Sequence, residues 1–510
     1  MLALLSVGPT VRLSALQCPD GSPPPCRVAR ADAGPKPGVP PNSVAVLYFD
    51  NLSRDTADAY MADGLTEELI GRLGQVERLT VKSRFAVRRF RGTTTEDPAT
   101  VGRALGVAHL VTGSIRRSGN RVRVTVELMR VAGGDREWGE QYDRTEADLL
   151  VIQEEIARRV ATAVAGRLLP TERARLAVRP TRNPAAYDHF LRGNYYLTRR
   201  DPRSLRRAIE EYDTAARLDP RLGPALARQA VAYEQLFSRL GGEGADSLLA
   251  RATDLAERAL QQDSSSADAW IALGQVLEWR HPRDFTAVLQ AGTHAVALDP
   301  QNAEAHHELG VWLSFLGRDS AANAEFRTEL AEDPTRGVAY LQLAHLAYLA
   351  RQEQAAERLL DSALGAQPGY DNVYALRAWV RLRLGKVEDA RRDAETALRL
   401  GSAADRRLLE YGEAALVLVD LDAGDSSHAR ARTARLASGP PDSVPTFWTG
   451  ALAIALAAVG QPERALDVLE RYTRGPRLWR ILRRPDFDPF RSHPRFQRLV
   501  EESRPPGAAR

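Results

Sequence analysis

Residues 303–334, AEAHHELGVWLSFLGRDSAANAEFRTELAEDP, decide the fold of most of this chain. Leu309-Gly310 returns 34 residues later as Leu343-Ala344, and after the same interval as Arg377-Ala378. His306 returns as Tyr340 and Tyr374, Ala322 as Ala356 and Ala390, and Pro334 as Pro368. Trp270 and Leu273-Gly274 hold the same places one unit earlier, displaced by two residues. A fixed period of this length marks stacked units, none of which buries its apolar face alone. The residue types follow from packing. Gly274, Gly310, Ala344 and Ala378 are small, so the two helices of a unit approach closely. Ala322, Ala356 and Ala390, twelve residues on, do the same from the facing helix. Proline after the second helix stops it, because it lacks the N–H and its ring clashes with a continuing turn.

Eight units are expected, beginning near Pro184, Gly223, Ala267, Ala303, Gly337, Asn372, Leu408 and Val444. The second is stretched around Gly241-Gly242-Glu243-Gly244. Leu218-Asp219-Pro220 and Leu298-Asp299-Pro300 end two of them. Period and pattern resemble the tetratricopeptide repeat (TPR), which implies an all-α solenoid over 183–475; a helical array of another family is the alternative. Residues 476–510 read as a basic cap and tail. Within them, Phe487-Asp-Pro-Phe-Arg-Ser-His-Pro-Arg-Phe496 resembles the ending of such arrays, expected to cover the last open helix face, since a terminal repeat needs a different outer surface.

Working outward towards the amino terminus, 43–170 has a different grammar. Val44-Ala-Val-Leu-Tyr-Phe49 is a continuous apolar run, as for a strand buried on both faces. Tyr60, Met61, Leu65, Leu69, Ile70 and Leu73 fall at helical spacing. Leu79-Thr-Val81 is a short strand, and Asp97-Pro98 opens a helix to Leu105. His109–Arg117 and Arg121–Val131 flank the turn Ser118-Gly119-Asn120. In the second arm Val122, Val124, Val126 and Leu128 alternate with Arg121, Arg123, Thr125 and Glu127, the pattern of a sheet with one wet face. A further strand at Glu137–Tyr142 and a helix at Ala147–Leu168 complete a β-α-β-α-β-β-β-α domain with a mixed sheet.

Val44–Ser53, Tyr60–Leu69 (YMADGLTEEL) and Ala104–Ile115 (ALGVAHLVTGSI) together resemble the TolB amino-terminal, or FlgO/CsgG-like, domain. The resemblance spans 43–168. It implies a bacterial chain of the kind in which this domain stands beside TPR arrays and an output module, a kinase, a cyclase or a DNA-binding regulator. Such a module usually comes first; only some 42 residues precede the domain here, so the expectation is that it is absent.

Charge and composition narrow the function further. Aromatic residues are 6% of the chain and net charge is +4, so nucleic-acid binding has no support. From 471 to 510, 11 Arg stand against 4 Asp or Glu. Such an end either meets an anionic partner or surface, or is a solvated arginine-rich tail. No run reaches the roughly 18–20 apolar residues of a membrane span. Residues 1–42 read as a disordered leader and proline-rich linker, with Met1–Gly8 either a signal-peptide remnant or simply a disordered end. Cys18 and Cys26, the only cysteines, suit a small disulfide loop, which favours a periplasmic or envelope location over the cytoplasm; two idle thiols are the alternative.

No catalytic, cofactor or metal constellation emerges. Gly385-Lys386 lacks the rest of a P-loop and belongs in a repeat turn. His306 and His307 are adjacent on a helix and so point different ways, one packing and one facing solvent. Asp50, Asp55, Asp58 and Asp63 follow the first strand, where α/β domains bind ligands, but also where helices take their caps. The reading is therefore a non-enzymatic scaffold whose groove takes a protein or peptide partner. Candidate groove residues are Asn194, Tyr195, Gln229, Tyr233, Gln275, Gln342, His345 and Arg381, polar or aromatic positions on first helices. The alternative is the sensory half of a signalling system; an enzyme such as a cyclase is the least supported.

Overall fold

The computed structural model describes residues 39–510, except 89, 93–96, 200, 241–244, 335, 402–405, 440–449 and 509–510. Cys18 and Cys26 lie outside the described residues, as do the glycine-rich stretch 241–244 and the expected start of the eighth unit at Val444.

The sheet strands are β1 (Ser43–Val46), β2 (Asp50–Asn51), β3 (Thr80–Val81), β4 (His109–Ser118), β5 (Arg121–Arg130) and β6 (Arg136–Thr145). Their order is β3-β1-β4-β5-β6, with β2 also paired to β4. β1 is parallel to β3 and β4, while β4, β5 and β6 are antiparallel, so the sheet is mixed. Helices α1 (Ala59–Gly74) and α4 (Leu149–Ala165) cover one face, α2 (Arg84–Arg88) and α3 (Pro98–Leu105) the other, and α5 (Pro170–Leu176) follows. Alternate residues of β1 serve the two cores: Val44 and Val46 pack with α1 and α4, Ala45 with α2 and α3. On β5, Val122, Val124, Val126 and Leu128 are fully buried, while Arg121 and Arg123 on the other face share Asp143 of β6.

Two details depart from the sequence reading. The apolar run 44–49 is not one unbroken strand. Val46 pairs with Val111 and Asp50 with Ser114, four residues against three, so one extra residue bulges out between β1 and β2. The Phe49 amide turns aside to the Thr66 hydroxyl, and its ring lies over Gly113, where a Cβ would come within 2.5 Å of it. Helix α2 also went unread, being too short to show a period.

Beyond 183 the chain is paired helices. The pairs are α6 (Pro184–Leu197) with α7 (Pro202–Leu218), α8 (Gly223–Leu240) with α9 (Ala245–Gln262), and α10 (Ala267–Arg280) with α11 (Thr286–Leu298). Next come α12 (Ala303–Phe315) with α13 (Asp319–Glu332), α14 (Gly337–Leu349) with α15 (Glu353–Ala366), and α16 (Asp371–Arg383) with α17 (Val387–Leu400). The last are α18 (Arg406–Asp422) with α19 (Ser426–Ala437), and α20 (Ala451–Ala458) with α21 (Pro462–Glu470). Two helices, α22 (Pro476–Leu482) and α23 (Pro494–Ser503), with a 3-10 turn at Pro485–Phe490 between them, end the fold. Several starts carry side-chain caps: Asn183, Asp201, Ser266 and Asn302 accept from the first free amides.

The small residues act as their types suggest, with one difference. A Cβ on Gly310 would meet Phe326 of its own unit at 2.6 Å. On Gly274 it would overlap Trp312 of the next unit, and Trp312 also fills the space against Gly292. One indole thus enters between α10 and α11 from outside the pair. Ala322, Ala344, Ala356, Ala378 and Ala390 are fully buried.

The α/β domain and the first repeats share one apolar core. Gly64 of α1 lies against Leu191, buried Tyr187 donates to Gln153 of α4 at 2.8 Å, and Tyr60 pairs with Asp188 beneath Arg192. Arg72 donates to the carbonyls of Leu176 and Val178, fastening the connecting segment to α1.

Candidate functional site

Consecutive first helices of the units pack directly on one another from α6 to α20, while each second helix from α7 to α19 packs between two first helices. The first-helix side is therefore the short, inner side of the stack. Its residues run along the last turns of each first helix. Glu234 of α8 accepts from the Trp279 indole of α10 at 2.6 Å, and Phe237 meets that indole edge-on at 5.3 Å. Glu278 of α10 accepts from the buried Trp312 indole of α12 at 2.8 Å. Gln275 donates to Glu308 at 2.9 Å. Burial drives the Glu234 carboxyl up to about 8, helped by Glu278 and Glu308, and Glu308 up to about 7.

The C-terminal helix α22 lies on this inner face. Arg477 bonds to Glu278 and stacks 3.4 Å from the centre of the Trp279 ring. Arg480 donates to Gln342 of α14 at 3.0 Å and lies over Phe315 of α12. Arg483 pairs with Asp319 at 2.5 Å, and the Trp479 ring packs on Gly317. Arg484 lies over Tyr411 of α18 and pairs with Asp486, which takes the Tyr348 hydroxyl of α14. At the α-helical rise, Arg477 to Arg484 spans about 11 Å. Five first helices in a flat row, about 8–10 Å apart, would span some 32–40 Å. A segment this short touches both α10 and α18 only because the row curves around it.

The tail therefore does two things, where the sequence reading had one. Phe487, Phe490 and Phe496 join the core of the last two pairs, as a cap does. The arginines before them are neither a solvated tail nor an open basic patch: Arg480 and Arg484 are 2% and 1% exposed. Burial lowers the Arg480 guanidinium to about 9.

The eight candidate groove residues separate into groups. Gln342 and His345 lie beneath α22, not open to a partner. His345 is 1% exposed, and burial with nearby Arg480, Arg484 and Arg483 holds its ring well below the usual imidazole range. Gln229 is buried and donates to the Ile209 carbonyl. Arg381 points back between helices to Glu357 and Asp393. Asn194 accepts from Tyr212 at 2.7 Å, and Gln275 belongs to the carboxylate row. Tyr195, under Arg199 at 4.5 Å, and Tyr233 are half-buried and reachable.

The remaining sequence candidates resolve structurally. His306 and His307 are both buried, bonded to Glu325 and Glu329 of α13, so neither faces solvent. Lys386 pairs with Glu357 in the turn after α16. Of the four early aspartates, Asp58 pairs with Arg117 and Asp63 with Arg91, and Asp55 caps Ala57. Burial raises Asp63 to about 6. Among the described residues no three His, Cys, Asp or Glu are grouped to hold a metal, and no helix is long and apolar enough to cross a membrane.

Glu234, Glu278, Trp279, Phe315 and the arginines of α22 were missed. The arginines had a readable signal: 477, 480 and 484 fall at helical spacing on one face.

No family model matches the chain. It is 32% identical over 254 residues to a Rhizobium meliloti (strain 1021) protein named putative adenylate cyclase 3; the match covers 49% of this chain and 43% of that protein, less than half its length. Among solved structures it is similar to a tetratricopeptide repeat protein from Parabacteroides merdae, at 14% identity and TM-score 0.38, over 54% of this chain and 98% of that one. It is also similar to YrrB, a TPR protein described as having an unusual peptide-binding site, at 23% identity and TM-score 0.26, over 37% and 89%. The described fold of this chain is a solenoid of paired helices following a small mixed-sheet domain.

Proposed function

We propose that this chain is a non-catalytic protein-interaction scaffold. Its inner face takes a segment of a protein or peptide partner, and its α/β domain is an accessory domain of the TolB amino-terminal type, over 43–170, ahead of an eight-unit array over 183–475. The observation that supports this is the inner face itself. Aromatic rings and carboxylates project from successive first helices, and the face accommodates a helical segment, α22, with arginines on its rings and polar groups. Tyr195 and Tyr233, half-buried on first helices, are the positions proposed to meet that partner. Intact protein is expected to capture a partner from extracts of its source. Capture is lost in the Tyr195→Ala, Tyr233→Ala double variant and kept when exposed residues of second helices are changed. Equal capture by all variants refutes the groove.

A second reading has its own support. The similarity to a protein named putative adenylate cyclase 3 favours a role in signal transduction, in which the α/β domain senses a ligand and the repeats relay it. On either reading this chain performs no chemistry. Turnover of ATP by the purified protein overturns that part.

A further inference from the structure

We infer that the inner face of the third to fifth units is built to hold an arginine-bearing amphipathic helix, and that the chain's own α22 occupies it in competition with a partner segment of the same kind. The inference rests on the scaffold reading and adds the chemistry of the partner.

The seat is matched to guanidinium. Arg477 is held by Glu278 edge-on and by the Trp279 ring face-on, with Phe315 5.5 Å from it; Arg480, one turn on, lies 5.4 Å from the same Phe315. A planar cation that stacks and forks suits both contacts; a lysine ammonium offers neither the plane nor the fork. Glu278 is the carboxylate of the seat; Glu234 on α8 and Glu308 on α12, bonded to Trp279 and Gln275, flank it.

The C-terminal segment is held by two kinds of contact that alternate along α22. Phe487, Phe490 and Phe496 are sunk in the apolar core of the last pairs, together with Leu478 and Leu482. Arg477 and Arg483 reach the inner face through ion pairs and ring contacts, and both keep partial solvent access. Contacts of that kind exchange with a competitor offering the same groups, while Leu478, Ile481 and Leu482 of α22 and the phenylalanines keep the segment attached.

The test uses the full chain and a labelled synthetic peptide with the sequence of residues 475–491. The Arg477→Glu, Arg483→Glu double variant is expected to bind this peptide at least about tenfold more tightly than wild type, because its own helix no longer competes. A peptide with lysine in place of four of its five arginines, at 477, 480, 483 and 484, is expected to lose at least about tenfold. Equal binding to wild type and variant, binding to neither, or equal binding of the lysine peptide each overturns the inference. Circular dichroism checks folding; if the double variant is unfolded, Arg477→Gln replaces it under the same criteria. Partner capture that depends on Tyr195 and Tyr233, without any peptide binding, sinks this inference and leaves the scaffold reading intact.

Discussion

Gly274 and Trp312 offer the sharpest check on how the units lock together. Alanine at an exposed helix interior is better than glycine by about 1 kcal/mol. At 274 the added Cβ would stand 2.9 and 3.0 Å from two atoms of the buried Trp312 ring and closer still to a third. The ring cannot retreat, since its far side faces Gly292 and its N–H is bonded to Glu278. Overpacking of this kind costs about 1–3 kcal/mol, so Gly274→Ala alone is expected to destabilise by about 0–2 kcal/mol. Trp312→Phe removes the fused ring atoms that cause the clash. It also removes the donor to Glu278 and leaves a void, so alone it destabilises as well. In the Trp312→Phe background, however, Gly274→Ala is expected to stabilise by about 1 kcal/mol, which makes the coupling between the two sites about 1–3 kcal/mol. Urea unfolding of the four proteins measures the cycle, with amide exchange in α10–α13 to localise it, because repeat arrays open unit by unit. Strictly additive effects would refute the claim that Trp312 belongs to the preceding unit's helix pair.

Two further outcomes are expected. Glu234 has its folded value raised to about 8, chiefly by burial, with Glu278 and Glu308 adding to the rise, so the folded state keeps a proton that the unfolded chain releases near 4.5. Stability contributed at this site is thus lost as pH climbs from about 4.5 to about 8, by at most about 1.4 kcal/mol per unit, and Glu234→Gln should flatten that slope in melts run across the range. Tyr187→Phe strips the donor from Gln153 in the core shared by the α/β domain and the first pair; a loss of about 1–3 kcal/mol is expected by chemical denaturation, and an unchanged midpoint would show that bond to be dispensable.

How much was legible divides by the range of the interaction. The interval from Leu309-Gly310 to Leu343-Ala344 is a local property, repeated wherever two helices must meet at a small residue, so the paired helices and the hairpin at Ser118-Gly119-Asn120 could be read from the chain alone. The bulge after Val46 could not, because it is visible only in the register against β4. His307 was read as half of a pair with one member outward; in a stack each first helix is covered on several sides, and both histidines find glutamates of α13. Gln342 and His345 were read as open groove because a periodic pattern says which face is inward and nothing about what covers it. That was decided by the accumulated turn from one unit to the next, which curls α10 through α18 around Arg477, 199 positions away from Glu278 in the chain. The repeat and its small residues are thus written in the sequence by short-range packing. The seat of Arg477 on Trp279 and Glu278 exists only in the tertiary structure, because many small rotations, each without a signature of its own, had to sum before those groups could meet.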